Sequence, residues 1–264
     1  MNTIAVVTGA TSGIGLATAR ALRDRGCVVY GAARHPGQEE GIRWRVCDVT
    51  DQEAVAALLQ EVRAECGRLD LLINNAGFGI SGAAEFTDNR DAKRLLEVNL
   101  FGVVNGCRAA IPLMREQGSG RIVNISSVAA PVAIPFQSWY SVSKAGVSAY
   151  TAAAAEEVRP FGISLCAILP GDIRTGFTAA REKSPLGDDV YGGRIARSVA
   201  VMEHDEETGM APAAAGAYIA HIALKKRVKP EYAIGFKYKF FCLLVKLMPC
   251  ALRSFIVGKL YAGL

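Results

Sequence analysis

The sequence predicts a single-domain α/β fold in which one parallel, doubly wound sheet carries helices on both faces. Three observations predict it. Short apolar runs that are typical of buried strands alternate with helical patterns along the chain. A glycine-rich turn joins the first strand to the first helix. Polar residues follow the ends of several strands, at the sheet edge where such folds bind their ligands.

The predicted elements follow one another in a regular order. We expect strands at residues 4–7, 27–33, 42–46, 69–73, 121–125, 163–169 and 232–236, and helices at 16–25, 50–66, 90–117, 138–159 and 210–226. Thr50 can cap the second helix, with Glu53 completing a capping box. Residues 177–197 are rich in glycine and predict a mobile lid. The domain is expected to span residues 1–236, and residues 237–264 to form an added helical segment.

The first turn favours a dinucleotide site. Residues 8–15 read Thr-Gly-Ala-Thr-Ser-Gly-Ile-Gly and lie between the first strand and helix. Glycines let the backbone approach a pyrophosphate, and a helix N-terminus offers free N–H groups and a partial positive charge. The spacing Gly-x-x-x-Gly-x-Gly differs from the commoner Gly-x-Gly-x-x-Gly, so a purely structural glycine turn is the alternative.

The end of the second strand bears on the choice between two dinucleotides. An acid there would accept hydrogen bonds from a free ribose 2′-OH and would repel a 2′-phosphate. The sequence has no acid in Ala32-Ala33-Arg34-His35, and Arg34 can make a charge-assisted contact with phosphate. NADP is therefore favoured over NAD. The alternative is that Arg34 is a solvated turn residue.

A tyrosine and a lysine four residues apart predict proton-transfer chemistry. Tyr140 and Lys144 lie on one face of the helix predicted at 138–159, about one turn from each other. An adjacent ammonium favours the phenolate and lowers the pKa of a phenol, and a hydroxyl from Ser127 can hold a substrate oxygen beside it. The alternative is an ordinary amphipathic helix with a surface lysine, since the pattern is short and common.

Composition and charge exclude several classes of protein. The net charge of +5 is modest and dispersed, so we expect no nucleic-acid partner, although an anionic cofactor or membrane surface is compatible with it. The seven cysteines are scattered and never form C-x-x-C, which indicates free thiols in a reducing compartment and no metal site. The first residues run straight into a strand without a secretory pattern, so we expect a cytoplasmic protein, with peripheral membrane contact left open.

Taken together, these motifs are similar to those of the short-chain dehydrogenase/reductase family. The matching pieces occur in the family's order over about residues 3–180, and they are Thr8-Gly9-x-x-x-Gly13-x-Gly15, Asp48, Asn74-Asn75-Ala76-Gly77, Asn99, Ser127, Tyr140-x-x-x-Lys144 and Pro170-Gly171. The resemblance implies a Rossmann fold and hydride transfer between a nicotinamide and a carbinol carbon. Within the family, the central stretch is most similar in pattern to members related to hydroxysteroid and retinol dehydrogenases.

The resemblance also implies a role for each site residue. Tyr140 is the general acid or base, Lys144 lowers its pKa and holds the nicotinamide ribose, and Ser127 orients the substrate oxygen. Asn99 supports a water-linked proton path by way of a local helix distortion. The cofactor is NADP(H), with NAD(H) as the alternative. The residues implied in binding it are Gly9, Thr11, Ser12, Gly13, Ile14, Gly15, Arg34, Asp48, Val49, Asn75, Ala76, Gly77, Tyr140, Lys144, Pro170, Gly171, Ile173 and Thr175.

The C-terminal segment and the substrate are less constrained. Residues 237–264 are rich in Phe, Leu, Val and Met, with regularly spaced cations. They can pack over the pocket or another subunit, lie as an amphipathic helix on an anionic membrane, or complete the core. Phe136, Trp139 and Phe177 indicate an apolar pocket, unless they are core residues.

We therefore expect interconversion of an alcohol and its carbonyl on an apolar substrate such as a steroid or retinoid. The alternatives are a reductase of 3-oxoacyl or polyketide ketones and a dinucleotide-binding regulator without turnover. The resemblance implies a homodimer or homotetramer formed by the long helices around Asn99 and Tyr140.

Overall fold

Seven strands form one parallel sheet in the computed structural model of the protein, which describes residues 2–263. They are β1 (Ile4–Thr8), β2 (Val28–Ala33), β3 (Ile42–Val46), β4 (Leu71–Asn74), β6 (Gly120–Ile125), β7 (Ile163–Leu169) and β9 (Glu231–Ala233). A separate parallel pair joins β5 (Ile80–Ser81) to β8 (Glu182–Lys183). Met1 and Leu264, the outer ends of the two predicted segments, lie outside the described residues.

The strand order β3-β2-β1-β4-β6-β7-β9 is that of a doubly wound sheet. The chain moves outward from β1 to β3 and then returns to place β4 on the other side of β1. This reversal opens a crevice at the carboxyl ends of β1 and β4, which is where ligands bind in such sheets. The predicted fold class is therefore confirmed.

Helices cover both faces of the sheet. They are α1 (Gly13–Arg23), α2 (Gln52–Cys66), α3 (Asn89–Leu96), α4 (Gly102–Gln117), α5 (Ser138–Val158), α6 (Phe177–Ala180), α7 (Arg194–Glu207), α8 (Pro212–Ala223), α9 (Phe236–Leu247) and α10 (Cys250–Val257). One core lies between the sheet and α2, α4 and α5, and a second lies between the sheet and α1 and α8. Because both faces are covered, β1 is buried along its whole length.

Several predicted boundaries were wrong. Asp51, not Thr50, caps α2, since its carboxylate accepts hydrogen bonds from the backbone N–H groups of Glu53 and Ala54. The capping box therefore does not form, and the Thr50 hydroxyl donates to Asp48 instead. The last strand ends at Ala233, and Phe236 begins α9 rather than ending that strand.

The helix predicted at 90–117 is interrupted, and the predicted lid is partly helical. A π-helical turn over Glu97–Phe101 separates α3 from α4. The predicted lid at 177–197 contains the short helix α6, the strand β8 and the first residues of α7. The sequence pattern did not predict α7. Within residues 2–263, the helices are too short or too polar to cross a lipid bilayer.

Candidate active site

A cleft of about 990 Å³ lies at the carboxyl edge of the sheet. Its walls come from the loops that follow β1, β2, β3, β4, β6 and β7, together with α5 and the region around α6 and α7. Eighteen of the twenty predicted site residues line it, namely Gly9, Thr11, Ser12, Gly13, Ile14, Arg34, Asp48, Val49, Asn75, Ala76, Gly77, Ser127, Tyr140, Lys144, Pro170, Gly171, Ile173 and Thr175. The other two, Gly15 and Asn99, lie behind the wall.

The glycine turn has the geometry of an anion cradle. Gly9 and Gly13 adopt positive φ angles of 62° and 53°, which side chains disfavour. A Cβ on Gly15 would lie 2.2 Å from the Gly9 carbonyl oxygen, so only glycine allows α1 to begin this close to β1. The Ser12 side chain does not cap α1, and its first turn holds no acid. The first N–H groups of α1 are therefore available for a phosphate.

The loop after β4 is fixed to this turn by backbone and side-chain hydrogen bonds. The Thr8 hydroxyl accepts from the backbone N–H groups of Asn75 and Ala76, at 3.0 and 3.2 Å. The Asn75 side-chain amide donates to the carbonyls of Thr8 and Gly9. Asn75 therefore lines the cleft and also holds the loop after β4 against the glycine turn. Thr8 was missing from the predicted set, although it begins the glycine motif.

Asn99 lies at the centre of the π-helical turn and is fully buried. Its Nδ2 donates to the Phe78 carbonyl at 2.9 Å, and its Oδ1 accepts from the Phe78 backbone N–H at 3.0 Å. Nδ2 also donates to the Ser143 hydroxyl at 3.2 Å. The π-helical turn orients this side chain so that it contacts both the loop after β4 and α5. In a regular helix the same side chain would not contact both.

Ser143 extends this connection to α5 and was not predicted. Its hydroxyl donates to the carbonyl of Tyr140 at 2.7 Å while it accepts from Asn99. The contact to Tyr140 is the usual bond of a helical serine to the carbonyl one turn before it. The signal in the sequence was a serine three residues after the tyrosine, on the buried side of the same helix.

Ser127, Tyr140 and Lys144 meet at the end of β6. The Lys144 ammonium donates to the carbonyl of Ile125 at 3.0 Å and lies 5.7 Å from the centroid of the Tyr140 ring. The Ser127 hydroxyl accepts from the backbone N–H of Ala129 at 3.1 Å. Ser126, the residue that follows β6, donates to the carbonyl of Lys144 at 2.8 Å and so ties α5 to β6.

The pKa values of the pair move in the direction that burial dictates. Burial raises the pKa of Tyr140 to about 12, and a hydrogen bond with Ser127 opposes the rise. Burial lowers the pKa of Lys144 to about 8. Lys144 is not among the groups that shift the pKa of Tyr140 in this arrangement, so the lowering of the tyrosine pKa by the lysine stays a prediction. The phenol is protonated at neutral pH.

The opposite end of the cleft presents Arg34 and Asp48. The Asp48 carboxylate accepts from the backbone N–H and the hydroxyl of Thr50, at 2.9 and 2.8 Å. The backbone bond lowers the pKa of Asp48, and the Arg34 guanidinium lowers it further. Val49 packs against Gly102, where a Cβ would lie 2.8 Å from its side chain. This end can therefore hold an adenosine and any phosphate on its ribose.

The loop after β7 joins the cleft to the C-terminal segment. Thr175 lies across from the glycine turn, within van der Waals distance of the space beside Gly13. Tyr238 of α9 packs its ring on Gly171, and its hydroxyl donates to the Asp172 carboxylate. Burial raises the pKa of Asp172. Asp172 is thus a loop residue that anchors α9.

The remaining wall combines one predicted aromatic residue with a charged pair that the sequence did not single out. Phe177 lies 5.8 Å from Tyr140 between ring centroids, as the expected apolar pocket requires. Arg181 is fully buried, pairs with Glu206 of α7, and lies 5.7 Å from the Phe177 ring. Of the three aromatic residues proposed for the pocket, only Phe177 is among the described lining residues. No local pattern relates Arg181 to Glu206, because they are 25 residues apart.

The fold and this constellation define an oxidoreductase that works on a bound dinucleotide. The chain belongs to the short-chain dehydrogenase family, whose model, described as short chain dehydrogenase, matches residues 3–185. The chain is 40% identical over 235 residues to a 3-ketodihydrosphingosine reductase of Bacteroides thetaiotaomicron, a match that covers 88% of this chain and 87% of that protein.

Solved structures agree with the family. A short-chain dehydrogenase from Streptomyces avermitilis has a TM-score of 0.83 and 30% identity, covering 97% of this chain and 95% of that one. Actinorhodin polyketide ketoreductase, solved with NADPH, has a TM-score of 0.73 and 28% identity. The match covers 88% of this chain and 95% of that one. The predicted family is confirmed, and such neighbours agree with the predicted nicotinamide dinucleotide site. They do not single out its steroid or retinoid members.

Proposed function

We propose that the protein is an NADP(H)-dependent ketoreductase that interconverts a ketone and a secondary alcohol. The observation that carries this is the meeting of Ser127, Tyr140 and Lys144 in one cleft with the glycine turn. A phenol and a hydroxyl there can act on one substrate oxygen, while the turn at the other end can hold a pyrophosphate.

The residues present fit a nicotinamide dinucleotide. The free N–H groups at the start of α1 and the close approach at Gly9 and Gly13 suit its pyrophosphate. Asp48 and Val49 would hold the adenine end, and Thr175 and Lys144 would hold the nicotinamide end. When bound, the nicotinamide supplies or accepts the hydride. We propose that Arg34 binds a 2′-phosphate, since it lines the cleft at the end of β2 where no acid stands.

The chain's own groups would handle the proton and the substrate oxygen. Ser127 positions the oxygen, and Tyr140, protonated at neutral pH, donates to it as the carbonyl becomes an alcohol. Lys144 holds a positive charge close to the developing oxyanion, in a site where burial strengthens the interaction. Asn99 acts through others, because it fixes Phe78 on one side and, through Ser143, the backbone of Tyr140 on the other.

We propose a long-chain amphiphile as the substrate class. Apolar side chains of Val98, Ile134, Phe177 and Met202 line the cleft. The Arg181–Glu206 pair gives the same wall a polar element close to Phe177. A ketone with a polar group nearby and an alkyl chain beyond it suits this wall better than a rigid apolar steroid or retinoid does. The similarity to a 3-ketodihydrosphingosine reductase over 88% of the chain supports the proposal.

The test is cofactor oxidation by the purified protein, with NADPH and NADH assayed separately. The panel contains a 3-keto sphingoid base, a steroid ketone, retinaldehyde and a simple ketone. We expect NADPH-dependent reduction of the sphingoid ketone, a fall of roughly a thousandfold or more in kcat for Tyr140→Phe, and cofactor binding by that variant that is unchanged. Turnover that survives Tyr140→Phe would refute the assigned mechanism, and reduction of steroids alone would refute the substrate class.

Reduction of a 3-oxoacyl or polyketide ketone is the second candidate. The likeness to actinorhodin polyketide ketoreductase favours it, and the basic C-terminal segment could serve an acidic carrier protein. Activity on a 3-oxoacyl thioester that exceeds activity on the sphingoid ketone would select this candidate. A regulator without turnover is disfavoured, because the complete set of proton-transfer groups is assembled.

We also propose pairing of α4 and α5 with the same helices of a second copy. Phe101 and Val142 expose large apolar side chains on the outer side of this region. Analytical ultracentrifugation of the wild type and of Val142→Glu tests the proposal, with dissociation of the variant expected. A monomeric wild type would contradict it.

A further inference from the structure

The C-terminal segment concentrates the net charge of the molecule. Residues 237–264 contain five cations, Lys237, Lys239, Lys246, Arg253 and Lys259, and no aspartate or glutamate. The net charge of the whole chain is also +5, so cations and acids balance in the rest of the protein. The segment therefore carries an excess of five positive charges, while the charges of the remaining residues sum to zero.

The same segment exposes a stripe of large apolar side chains. On α9, Phe236, Phe240, Leu243 and Leu247 follow one another at intervals of four, three and four residues, so they lie on one helical face. Their exposure is high, at 87% for Phe236 and 76% for Leu247. Isolated exposed apolar residues are ordinary, but a continuous stripe on one helix face indicates an interaction surface.

The next helix continues this surface. Leu252 and Phe255 of α10 and Leu260 just beyond it are about half exposed or more. The opposite sides of the two helices hold the segment on the domain, since Val245 and Val257 are buried in a cluster with Val132. The exposed apolar side chains of α9 and α10, together with the five cations of the segment, are called the apolar–basic surface below.

The apolar–basic surface borders the substrate end of the cleft. Tyr261, at the end of the segment, lines the cleft and packs in the cluster that holds α9 and α10 together. Tyr238 of α9 is hydrogen-bonded to Asp172 in the loop after β7. The segment that carries this surface therefore also contributes to the wall of the cleft.

Charge decides which occupant fits the surface. A second copy of this chain would place five cations opposite five cations across a two-fold interface, and like charges repel there. An acidic protein would match the cations but not a row of exposed phenylalanines and leucines. A bilayer that contains anionic phospholipid meets both needs, because its headgroups attract the cations while the apolar side chains enter the boundary with the acyl chains.

We propose that the apolar–basic surface docks the protein on an anionic lipid bilayer, with the cleft opening toward it. The docking does not rest on the proposed reaction. The test is cosedimentation of the full chain with vesicles of phosphatidylcholine alone and of phosphatidylcholine mixed with phosphatidylglycerol. We expect binding to the anionic vesicles to be about tenfold or more tighter and to weaken as salt is added.

Two double variants separate the apolar and the electrostatic parts. Phe240→Ser with Leu247→Ser should lower binding to anionic vesicles by about tenfold or more, because it removes two exposed apolar side chains. Lys239→Glu with Lys259→Glu should abolish the preference for anionic over neutral vesicles. All four side chains are exposed, and unchanged thermal unfolding would show that the variants fold.

The matched controls change equivalent residues away from this surface. Leu186→Ser and Lys226→Glu also alter an exposed leucine and an exposed lysine, and they should leave vesicle binding unchanged. Equal binding to both kinds of vesicle, or binding that both double variants retain, would overturn the proposal. A wild-type oligomer that Phe240→Ser with Leu247→Ser dissociates, with no vesicle binding, would identify the surface as a subunit interface and would overturn it as well.

Discussion

Lys144 provides the sharpest test of the electrostatics of the site, through the variant Lys144→Met. Its side chain is nearly inaccessible to solvent, and burial lowers its pKa from 10.5 to about 8. A shift of this size means that the charged lysine lowers the free energy of unfolding by about 3 kcal/mol. Methionine has a similar length and carries no charge. It loses the hydrogen bond to the Ile125 carbonyl, which contributes about 1 kcal/mol.

The effect depends on pH in a defined direction. Below pH 8 the lysine is charged in the folded and in the unfolded chain, so the folded state bears the full desolvation penalty. Between pH 8 and 10.5 the folded protein releases the proton first, and the penalty is relieved as pH rises. We therefore expect Lys144→Met to be more stable than the wild type by about 2 kcal/mol at pH 7 and to lose about 2 kcal/mol of that advantage by about pH 9.5.

Urea unfolding of both proteins, followed by circular dichroism without added cofactor, measures this difference at several pH values. Titration of all other groups is common to both proteins and cancels in the difference. The exposed Lys226→Met is the matched control, and its difference from the wild type should be small and independent of pH. A stability gap for Lys144→Met that stays constant from neutral to alkaline pH would refute the reasoning. Ketone reduction by this variant should be lost even though the fold is stabilised.

Three further predictions concern packing and cofactor choice. Asn99→Ala removes both bonds to Phe78 and the bond to Ser143, so we expect the free energy of unfolding to fall by about 3 kcal/mol, measured by urea unfolding; an unchanged midpoint would contradict the bridging role. Gly106→Ala should destabilise by about 1–3 kcal/mol rather than stabilise its helix, because the new Cβ would lie 2.2 Å from the buried Asn74 side-chain oxygen; thermal unfolding decides the sign. Arg34→Ser should weaken NADPH binding about tenfold or more and leave NADH binding nearly unchanged in fluorescence titrations, and equal losses for both would show that it contacts no 2′-phosphate.

The sequence was most informative where one strand or helix has a regular apolar pattern. Strands such as β7 are buried on both faces, so their apolar runs mark both the element and its place in a parallel sheet. Because the motifs follow the carboxyl ends of parallel strands, they meet at one edge of the sheet. This arrangement brings Ser127 and the glycine turn into one cleft. Boundaries set by single hydrogen bonds were harder to predict. Asp51 and Thr50 are both good capping residues, and only the backbone geometry decides between them.

Features that depend on distant parts of the chain could not be read from local patterns. The pairing of Arg181 with Glu206 joins the region after β7 to α7 and brings charge into a wall for which only aromatic residues had been considered. The surroundings of Lys144 could not be predicted for a related reason. Spacing along a helix shows that a lysine is near, but it does not show how deeply the two groups are buried or that the ammonium binds the Ile125 carbonyl.

The surroundings of Tyr140 and Lys144 also bear on the proton-donating step of the proposed reaction. A phenol with a pKa of about 12 keeps its proton throughout the physiological range, so it is ready to donate to a substrate oxygen but not to accept from one. Oxidation of an alcohol would need the phenolate, which burial disfavours. Lys144, whose pKa of about 8 leaves it mostly charged at neutral pH, would supply positive charge beside the forming alkoxide in the proposed reaction. The charges of the two groups therefore suit the step in which the proposed ketoreductase gives a proton to the substrate oxygen.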